Sequence, residues 1–378
     1  MTNNSVINLG ELEELVEKSL GVNQLAPSHF DYYRGGAGDE ITLKRNCQAF
    51  NELSIWPRML VDVSDRDMSL SLFQQEIDMP IIIAPTAFQA LAHNQGELAT
   101  ATAAKRLNTV MTLSTLSNYS IEEVAKVGHH LWYQLYVYKD RAITKDLVAR
   151  AEASGYQALV VTVDSPLLGR RERDIRNHFT LPPGLRAANL EKFALGNIKN
   201  AANNRSSSLD NSDLACYIAS LYDTSLTWRD LEWIISLTKL PVLVKGILRG
   251  DDAVKAISSG AKGIIVSNHG GRQLDTTIST IEALQGIITA IANNESTNDV
   301  EVLLDGGIRR GTDVLKALAL GAKAVMIGRP VLWGLALDGE NGVEAVLNLL
   351  KSEFDLAMAL SGCNNLAAIT SDLISREK

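Results

Sequence analysis

A histidine, two glycines and an arginine follow an apolar run in the stretch GIIVSNHGGRQLD, residues 263–275. A neutral imidazole is a base near physiological pH, and a guanidinium binds a carboxylate through two parallel hydrogen bonds. Gly270 and Gly271 permit close approach of the backbone to another group. We therefore expect His269 to be a general base and Arg272 to bind an acidic substrate. A structural role for a single histidine is the alternative.

Two further side chains suit the same chemistry. Asp164 ends another apolar run, ALVVTVD, and a carboxylate bonded to an imidazole fixes its tautomer and raises its basicity. A helix N-cap is the alternative role for Asp164. Arg171, in GRRERDIR, would supply a second guanidinium for a small carboxylate, unless this run is simply a solvated basic surface.

A second constellation indicates phosphate binding. The stretches DGGIRRG (305–311) and IGRP (327–330) combine glycines with Arg309 and Arg329 at points where helices are expected to begin. Two tight turns with surface arginines are the alternative. Lys245, at the end of PVLVKGI, would stabilise a developing anion on a cofactor ring, or else form a structural salt bridge.

Eight short apolar runs, rich in Val and Ile, must position these groups. They alternate with amphipathic stretches, and near-continuous apolar strands are typical of a parallel sheet covered on both faces. The pattern predicts an α/β fold, a closed TIM (β/α)8 barrel, in which catalytic groups lie at the carboxyl ends of the strands. A doubly wound sheet is the alternative, but no run is followed by its Gly-x-Gly-x-x-Gly turn. The runs cover residues 79–85, 109–115, 131–137, 158–164, 241–247, 263–270, 302–307 and 324–330.

We expect one domain spanning residues 1–378. It would comprise an N-terminal helical extension (1–78), the barrel (79–345) and a C-terminal helical segment (346–378). The connection after the fourth strand is unusually long, and its Asn- and Ser-rich part, residues 200–213, is either a lid over the barrel mouth or a solvated surface insertion.

Composition excludes several functional classes. The net charge of −8 argues against nucleic-acid binding, and no apolar run approaches the ~20 residues of a membrane span. The three cysteines form no Cys-x-x-Cys pair, so we expect neither disulfides nor a metal site. The N-terminal stretch does not read as a signal peptide, and we expect a cytoplasmic protein.

The chain closely resembles the FMN-dependent 2-hydroxy-acid oxidases, the family that contains glycolate oxidase and L-lactate oxidase. The likeness covers nearly the whole chain and includes DYYRGGAGDE (31–40), QLYVYKDR (134–141), TVDSPLLGRRERD (162–174), SNHGGRQLD (267–275) and DGGIRRGTDVLKALALGA (305–322). It implies an FMN cofactor and oxidation of an (S)-2-hydroxy acid to the 2-oxo acid. Dioxygen would be reduced to hydrogen peroxide, and the chain would form a homotetramer with no membrane partner.

The resemblance also assigns roles to residues of this chain. The catalytic group would be His269 as base, with Asp164, Tyr136 and Lys245. The substrate would contact Tyr32, Arg171, Arg272, Tyr136 and Leu116. The FMN would contact Thr86, Ser114, Gln134, Thr162, Lys245, Ser267, Asp305, Gly307, Arg309, Gly328 and Arg329.

Leu116 departs from the pattern of plant glycolate oxidases, which carry tryptophan at this position. A leucine leaves more room beside the substrate's third carbon, so we expect L-lactate to be preferred over glycolate. The alternatives are a glycolate oxidase, and a lactate dehydrogenase that uses a quinone or another acceptor instead of oxygen. A polar segment before the fifth strand argues against the second of these.

Overall fold

A computed structural model describes residues 6–20, 25–193, 220–294 and 300–376. The Asn- and Ser-rich stretch 200–213, considered above as a lid, lies outside the described residues.

Eight parallel strands close into a barrel, in which each strand pairs with the next along the chain and the last returns to the first. Closure is made by Val325, Met326 and Ile327 against Ile81, Ile82 and Ile83. The predicted TIM barrel is therefore confirmed, and the doubly wound alternative is wrong. The barrel strands are β4 Ile81–Ile83, β5 Val110–Ser114, β6 His130–Leu135, β7 Ala158–Thr162, β8 Val242–Ile247, β9 Gly263–Val266, β10 Glu301–Asp305 and β11 Ala324–Ile327.

The strands are apolar throughout because both of their faces are buried. One set of side chains, including Trp132, Leu243 and Met326, fills the barrel interior, and the alternate set packs against the surrounding helices. A hairpin formed by β2 (Leu70–Leu72) and β3 (Gln75–Ile77) adds its own apolar residues to the interior cluster. The barrel interior is therefore filled with packed side chains. Functional groups in this fold lie at the carboxyl ends of the strands.

Helices surround the barrel and alternate with its strands. Gly260 and Gly321, predicted as helix C-caps, follow two of these helices with φ of 104° each, which favours glycine. In the described part of the chain the helices are α1 Leu9–Lys18, α2 Pro27–Arg34, α3 Ile41–Asn51, α4 Gly96–Arg106, α5 Ile121–Ala125, α6 Arg141–Ala153, α7 Glu172–Arg176, α8 Trp228–Ser236, α9 Gly250–Ser258, α10 Thr280–Ala292, α11 Gly311–Ala319 and α12 Arg329–Ser361.

Two peripheral features complete the fold. A short strand β1 (Leu53–Ile55) pairs antiparallel with β12 (Ile374–Arg376) in a two-stranded sheet outside the barrel. The long helix α12 is interrupted by non-helical backbone at Asp338 and Gly339. Within the described ranges, no helix combines the length and the apolar character needed to cross a lipid bilayer.

Candidate active site

The carboxyl ends of all eight barrel strands open on one cavity. Cavities at this end of a barrel are the usual position of active sites in the fold. Sixteen of the eighteen residues predicted for the site line it: Tyr32, Thr86, Ser114, Leu116, Gln134, Tyr136, Thr162, Arg171, Lys245, His269, Arg272, Asp305, Gly307, Arg309, Gly328 and Arg329. The other two, Asp164 and Ser267, do not line the cavity but are hydrogen-bonded to residues that do.

Asp164 reaches the cavity through the imidazole of His269. Its Oδ1 lies 2.8 Å from Nδ1 of His269, and it also accepts a hydrogen bond of 2.9 Å from the hydroxyl of Ser165. Glycine is required at position 246, where φ is 110° and a Cβ atom would lie 2.6 Å from the Cβ of Asp164. The carboxylate is therefore placed to orient the histidine, and the N-cap alternative is wrong, because the next helix, α7, has Arg171 as its N-cap.

His269 itself adopts a left-handed backbone conformation, with φ of 59°. This conformation is uncommon for residues other than glycine, and such strain is typical of functional positions. The amide of His269 donates to the hydroxyl of Ser267 at 3.1 Å, which helps to fix the turn. A bond from protonated Nδ1 to Asp164 leaves Nε2 as the nitrogen able to accept a proton.

The electrostatics of this pair favour a neutral base. Burial lowers the pKa of His269, and the neighbouring charge of Asp164 opposes that effect without overcoming it. Burial alone would raise the pKa of Asp164, but the charge and hydrogen bond of His269, together with Lys245, lower it. Near pH 7 the arrangement is thus a carboxylate next to a neutral imidazole.

Two of the cavity's arginines form no salt bridge with a carboxylate of the described residues. Nη1 of Arg272 donates to the carbonyl oxygens of Tyr32 and Gly35, at 2.6 and 2.8 Å. Among the described residues, the guanidinium of Arg329 likewise donates to carbonyl oxygens, those of Tyr33, Gly270 and Gly35. Within the described part of the chain, no acidic oxygen lies within salt-bridge distance of either guanidinium.

This uncompensated charge is visible in the pKa values. Withdrawal from water, followed by the charge of Arg171, lowers the pKa of Arg272 to about 10. The same withdrawal, with the charges of Arg272 and Arg309, lowers the pKa of Arg329 to about 9. Such a cluster is costly unless anions neutralise it. The cavity is therefore built for anionic groups, and the surface-arginine alternative is wrong for Arg329.

The N-terminus of α12 is a part of the cavity whose chemistry suits a phosphate. In the turn before α11, the carboxylate of Asp313 accepts from the backbone N–H groups of Arg309 and Arg310, at 2.9 Å each, while Gly306 and Gly307 line the cavity. Gly328 and Arg329 begin α12 beside the cavity, and Arg309 lines the same region. A helix N-terminus next to two guanidiniums fits a phosphate.

Lys245 combines the two roles considered for it. Its Nζ lies 2.8 Å from Oδ2 of Asp305 and donates to the hydroxyl of Ser267 at 2.7 Å, yet the side chain also lines the cavity. Burial would lower the pKa of Lys245, but Asp305 and Asp164 more than offset it, so the pKa is raised and the amine stays charged. Oδ1 of Asp305 is buried and has no hydrogen-bond partner among the described residues.

A row of polar side chains forms one wall of the cavity. The amide of Gln134 donates to the hydroxyl of Thr162 at 3.0 Å and accepts from the hydroxyl of Ser114 at 3.2 Å. The same Ser114 oxygen accepts from the backbone N–H of Leu116 at 3.1 Å. Oriented donors and acceptors of this kind fit the polar edge of a flat heterocycle such as isoalloxazine.

Several lining residues have no counterpart in the sequence analysis. Tyr222 packs its ring on that of Tyr136, with centroids 4.5 Å apart, and both rings face the cavity. Tyr33 and Leu332 also line it. Tyr222 lies in the long connection after β7, where no periodicity marks it, whereas the adjacency of Tyr33 to Tyr32 was an available signal.

Comparison with known proteins agrees with this geometry. The sequence profile of the FMN-dependent dehydrogenases matches residues 22–376. The chain is 52% identical to an L-lactate oxidase of Nostoc sp. over 375 residues, which cover 98% of both chains. It is 52% identical to 2-hydroxyacid oxidase 1 of Mus musculus over 93% of both chains. It is 49% identical to glycolate oxidase 1 of Oryza sativa subsp. japonica over 96% of this chain and 95% of that one.

Solved structures give the same result for the fold. A crystal structure of mandelate oxidase is similar with a TM-score of 0.86 and 40% identity, and the match covers 99% of each chain. These relatives carry three different substrate names. The substrate of this chain must therefore be argued from its own cavity.

Proposed function

The chain belongs to the family of FMN-dependent dehydrogenases and is an FMN-dependent oxidase of 2-hydroxy acids, and we propose that its preferred reaction converts L-lactate to pyruvate. Dioxygen is the electron acceptor and leaves as hydrogen peroxide. The observation that carries the proposal is Leu116, which is 7% exposed and lines the cavity.

The cavity residues fit FMN. Arg309, Arg329 and the start of α12 would hold the phosphate, and the unpartnered Oδ1 of Asp305 would accept a hydrogen bond from a ribityl hydroxyl. Ser114, Gln134 and Thr162 would bond the polar edge of the ring, and Thr86 would line it. Lys245, kept positive by Asp305 and Asp164, would stabilise negative charge on the ring. Bound FMN supplies the two-electron chemistry that links the acid to dioxygen.

The carboxylate of the substrate would be held by the guanidiniums of Arg272 and Arg171, with the hydroxyl of Tyr32. Their charges are uncompensated or weakly compensated, so an entering carboxylate gains charge-assisted hydrogen bonds. Tyr136 would contact the substrate hydroxyl. Burial and the charge of Asp164 raise the pKa of Tyr136, which therefore stays protonated and donates a hydrogen bond.

Oxidation of lactate to pyruvate removes two electrons and two protons, and Nε2 of His269 would accept one of the protons. The same imidazole serves whether that proton leaves the α-carbon or the hydroxyl. Asp164 would stabilise the imidazolium that results and keep Nδ1 protonated throughout. Asp164 is thus a positioning residue, and His269 is the group that meets the substrate.

The preference for lactate follows from the size of residue 116. A leucine at this point of the wall leaves space for the methyl group of lactate and packs against it, whereas an indole would fill that space. A methyl group in an apolar pocket contributes only ~1–3 kcal/mol to discrimination, so glycolate remains a slower substrate.

Steady-state oxygen consumption on L-lactate and on glycolate tests the proposal. We expect a higher kcat/KM for L-lactate, one hydrogen peroxide formed per acid oxidised, and a ratio that Leu116→Trp shifts toward glycolate. Leu274→Trp is the matched control, because Leu274 is 74% exposed and does not line the cavity. A wild-type kcat/KM that favours glycolate would contradict the proposal. Flavin that L-lactate reduces but oxygen does not reoxidise would favour the dehydrogenase alternative.

A further inference from the structure

Glu97 is a buried carboxyl group that the reaction outlined above does not use. It lies in the first turn of α4 with 0% of its surface exposed. Its Oε1 accepts two backbone hydrogen bonds of 3.1 Å, from the N–H groups of Gln89 and Asn118. Among the described residues, its Oε2 is buried without a hydrogen-bond partner, and no Lys, Arg or His forms a salt bridge with Glu97. A carboxyl group buried without a cation is costly, so its presence calls for a reason.

The two amides belong to different loops, and both loops line the cavity. Gln89 lies in the loop after β4 and donates from its side chain to the hydroxyl of Thr86 at 2.9 Å. Asn118 lies in the loop after β5, two residues beyond Leu116. Glu97 is therefore a single acceptor shared by the wall that carries Thr86 and the wall that carries Leu116.

Other bonds join the same two loops around this acceptor. The backbone N–H of Phe88 donates to the carbonyl oxygen of Leu116 at 2.9 Å. The side-chain oxygen of Asn118 accepts from the backbone N–H of Ala90 at 2.9 Å. Gly96 allows α4 to approach, because a Cβ there would lie 2.9 Å from the amide nitrogen of Ala90. A displacement of either loop would thus move Leu116 relative to Thr86.

We propose that Glu97 is a positioning residue for substrate selection: it fixes the loop of Leu116 against the loop of Thr86 and so sets the width of the pocket for the acid's side chain. This inference rests on the proposed lactate oxidation. It predicts that Glu97 acts on discrimination between acids rather than on the proton transfer itself.

The ionisation of Glu97 gives the inference a second consequence. Burial raises the pKa of Glu97 to about 7, although backbone N–H groups, including those of Asn118 and Gln89, oppose this. The titratable groups whose charges couple to it are Tyr33, Tyr119 and Tyr156, and the pKa of each is raised above its usual value of 10. None of these tyrosines ionises near neutrality. A carboxylate accepts hydrogen bonds more strongly than a carboxylic acid, so the loops should be held more tightly above pH 7.

The test compares kcat/KM for L-lactate and for glycolate in three holoenzymes. Glu97→Ala removes the acceptor, and we expect the lactate-to-glycolate ratio to fall by about tenfold, within the range that a methyl group supports. Glu97→Gln retains a carbonyl acceptor but not the charge, so at every pH its ratio should match that of the wild type at acidic pH. Glu301→Ala is the matched control, because this half-buried carboxylate accepts from the amide of Phe73 and does not line the cavity.

The pH dependence of the lactate-to-glycolate ratio of kcat/KM tests the inference even if the alanine variant does not fold. The titration of His269 affects both acids and cancels in the ratio. In the wild type the ratio should fall as pH drops through about 7, and Glu97→Gln should abolish that step. A ratio that is independent of pH in the wild type, or an equal loss in Glu97→Ala and Glu301→Ala, would overturn the inference. Failure of the wild type to oxidise either acid would instead overturn the proposed function.

Discussion

Replacing Asp164 by asparagine isolates the contribution of one charge to the proton transfer. The side chain keeps its shape, but the carboxylate that lies 2.8 Å from Nδ1 of His269 becomes neutral. The imidazolium formed during the reaction then faces the cations Lys245 and Arg171 without a counter-ion. The base should be both weaker and less well oriented.

The size of the effect follows from the bond that is lost. A hydrogen bond to a charged group contributes ~1.5–3 kcal/mol, which corresponds to a roughly 10- to 150-fold slower proton transfer. The same energy lowers the pKa of His269 by about one to two units, since one unit equals about 1.4 kcal/mol. The base is active when neutral, so the rate rises with pH through this pKa. In Asp164→Asn that rise should move to lower pH, and the plateau above it should be lower.

Anaerobic stopped-flow measurement of flavin reduction by L-lactate separates this effect from binding. We expect the limiting rate constant to fall by the factor given above, while the Kd for L-lactate changes less than about threefold, because Arg272 and Arg171 are intact. Ser165→Ala is the control, since it removes the 2.9 Å hydrogen bond to Asp164 but leaves the charge. An unchanged limiting rate in Asp164→Asn, or a shift of the pH rise to higher pH, would refute the reasoning.

Two other predictions concern the arginine cluster and the buried carboxyl group. Arg329→Met should weaken FMN binding by about tenfold or more in a flavin-fluorescence titration, since a charge-assisted bond to phosphate is lost. The control Arg66→Met breaks an ion pair with Asp355 and should leave the affinity for FMN unchanged. Equal affinities of the two variants would contradict the phosphate assignment. The pKa of Glu97 is about 7 in the folded state, above the usual 4.5, so folding favours the protonated carboxyl group. The contribution of Glu97 to the free energy of unfolding is therefore complete below pH 4.5 and is lost as pH rises through about 7. In urea unfolding, the free energy of unfolding should decrease from pH 5 to pH 8 more in the wild type than in Glu97→Gln. The two decreases should differ by on the order of 3 kcal/mol at most. The same pH dependence of the free energy of unfolding in both proteins would contradict this prediction.

The barrel and most of its lining could be predicted because the signals are local. Each strand is buried on both faces and is therefore a short, mostly apolar run. Parallel strands in a closed barrel bring all their carboxyl ends to one face. A polar residue at the end of a run, such as Gln134 or Lys245, is then assigned to the cavity by its position in the chain alone.

Residues that reach the site through tertiary packing left no such signal. Tyr222 enters from the long connection after β7, and only the fold brings its ring against Tyr136. Glu97 lies in an ordinary helical stretch, GELATATAAKR, where a glutamate in the first turn normally faces solvent. The pairing of Lys245 with Asp305 depends on the spacing of strands that are not neighbours in sequence. The alternatives at Asp164 also required the structure, because N-capping and imidazole binding suit the same residue type.

The central claim is that His269 takes a proton from a short 2-hydroxy acid next to the flavin, and anaerobic bleaching of the flavin absorbance tests it most directly. L-Lactate should bleach the wild-type holoenzyme faster than glycolate. His269→Gln should retain its FMN yet bleach at least about 100-fold more slowly, which is the lower range of general-base catalysis. Bleaching of the His269→Gln holoenzyme at the wild-type rate, or a wild type that no short L-2-hydroxy acid bleaches, would contradict the account.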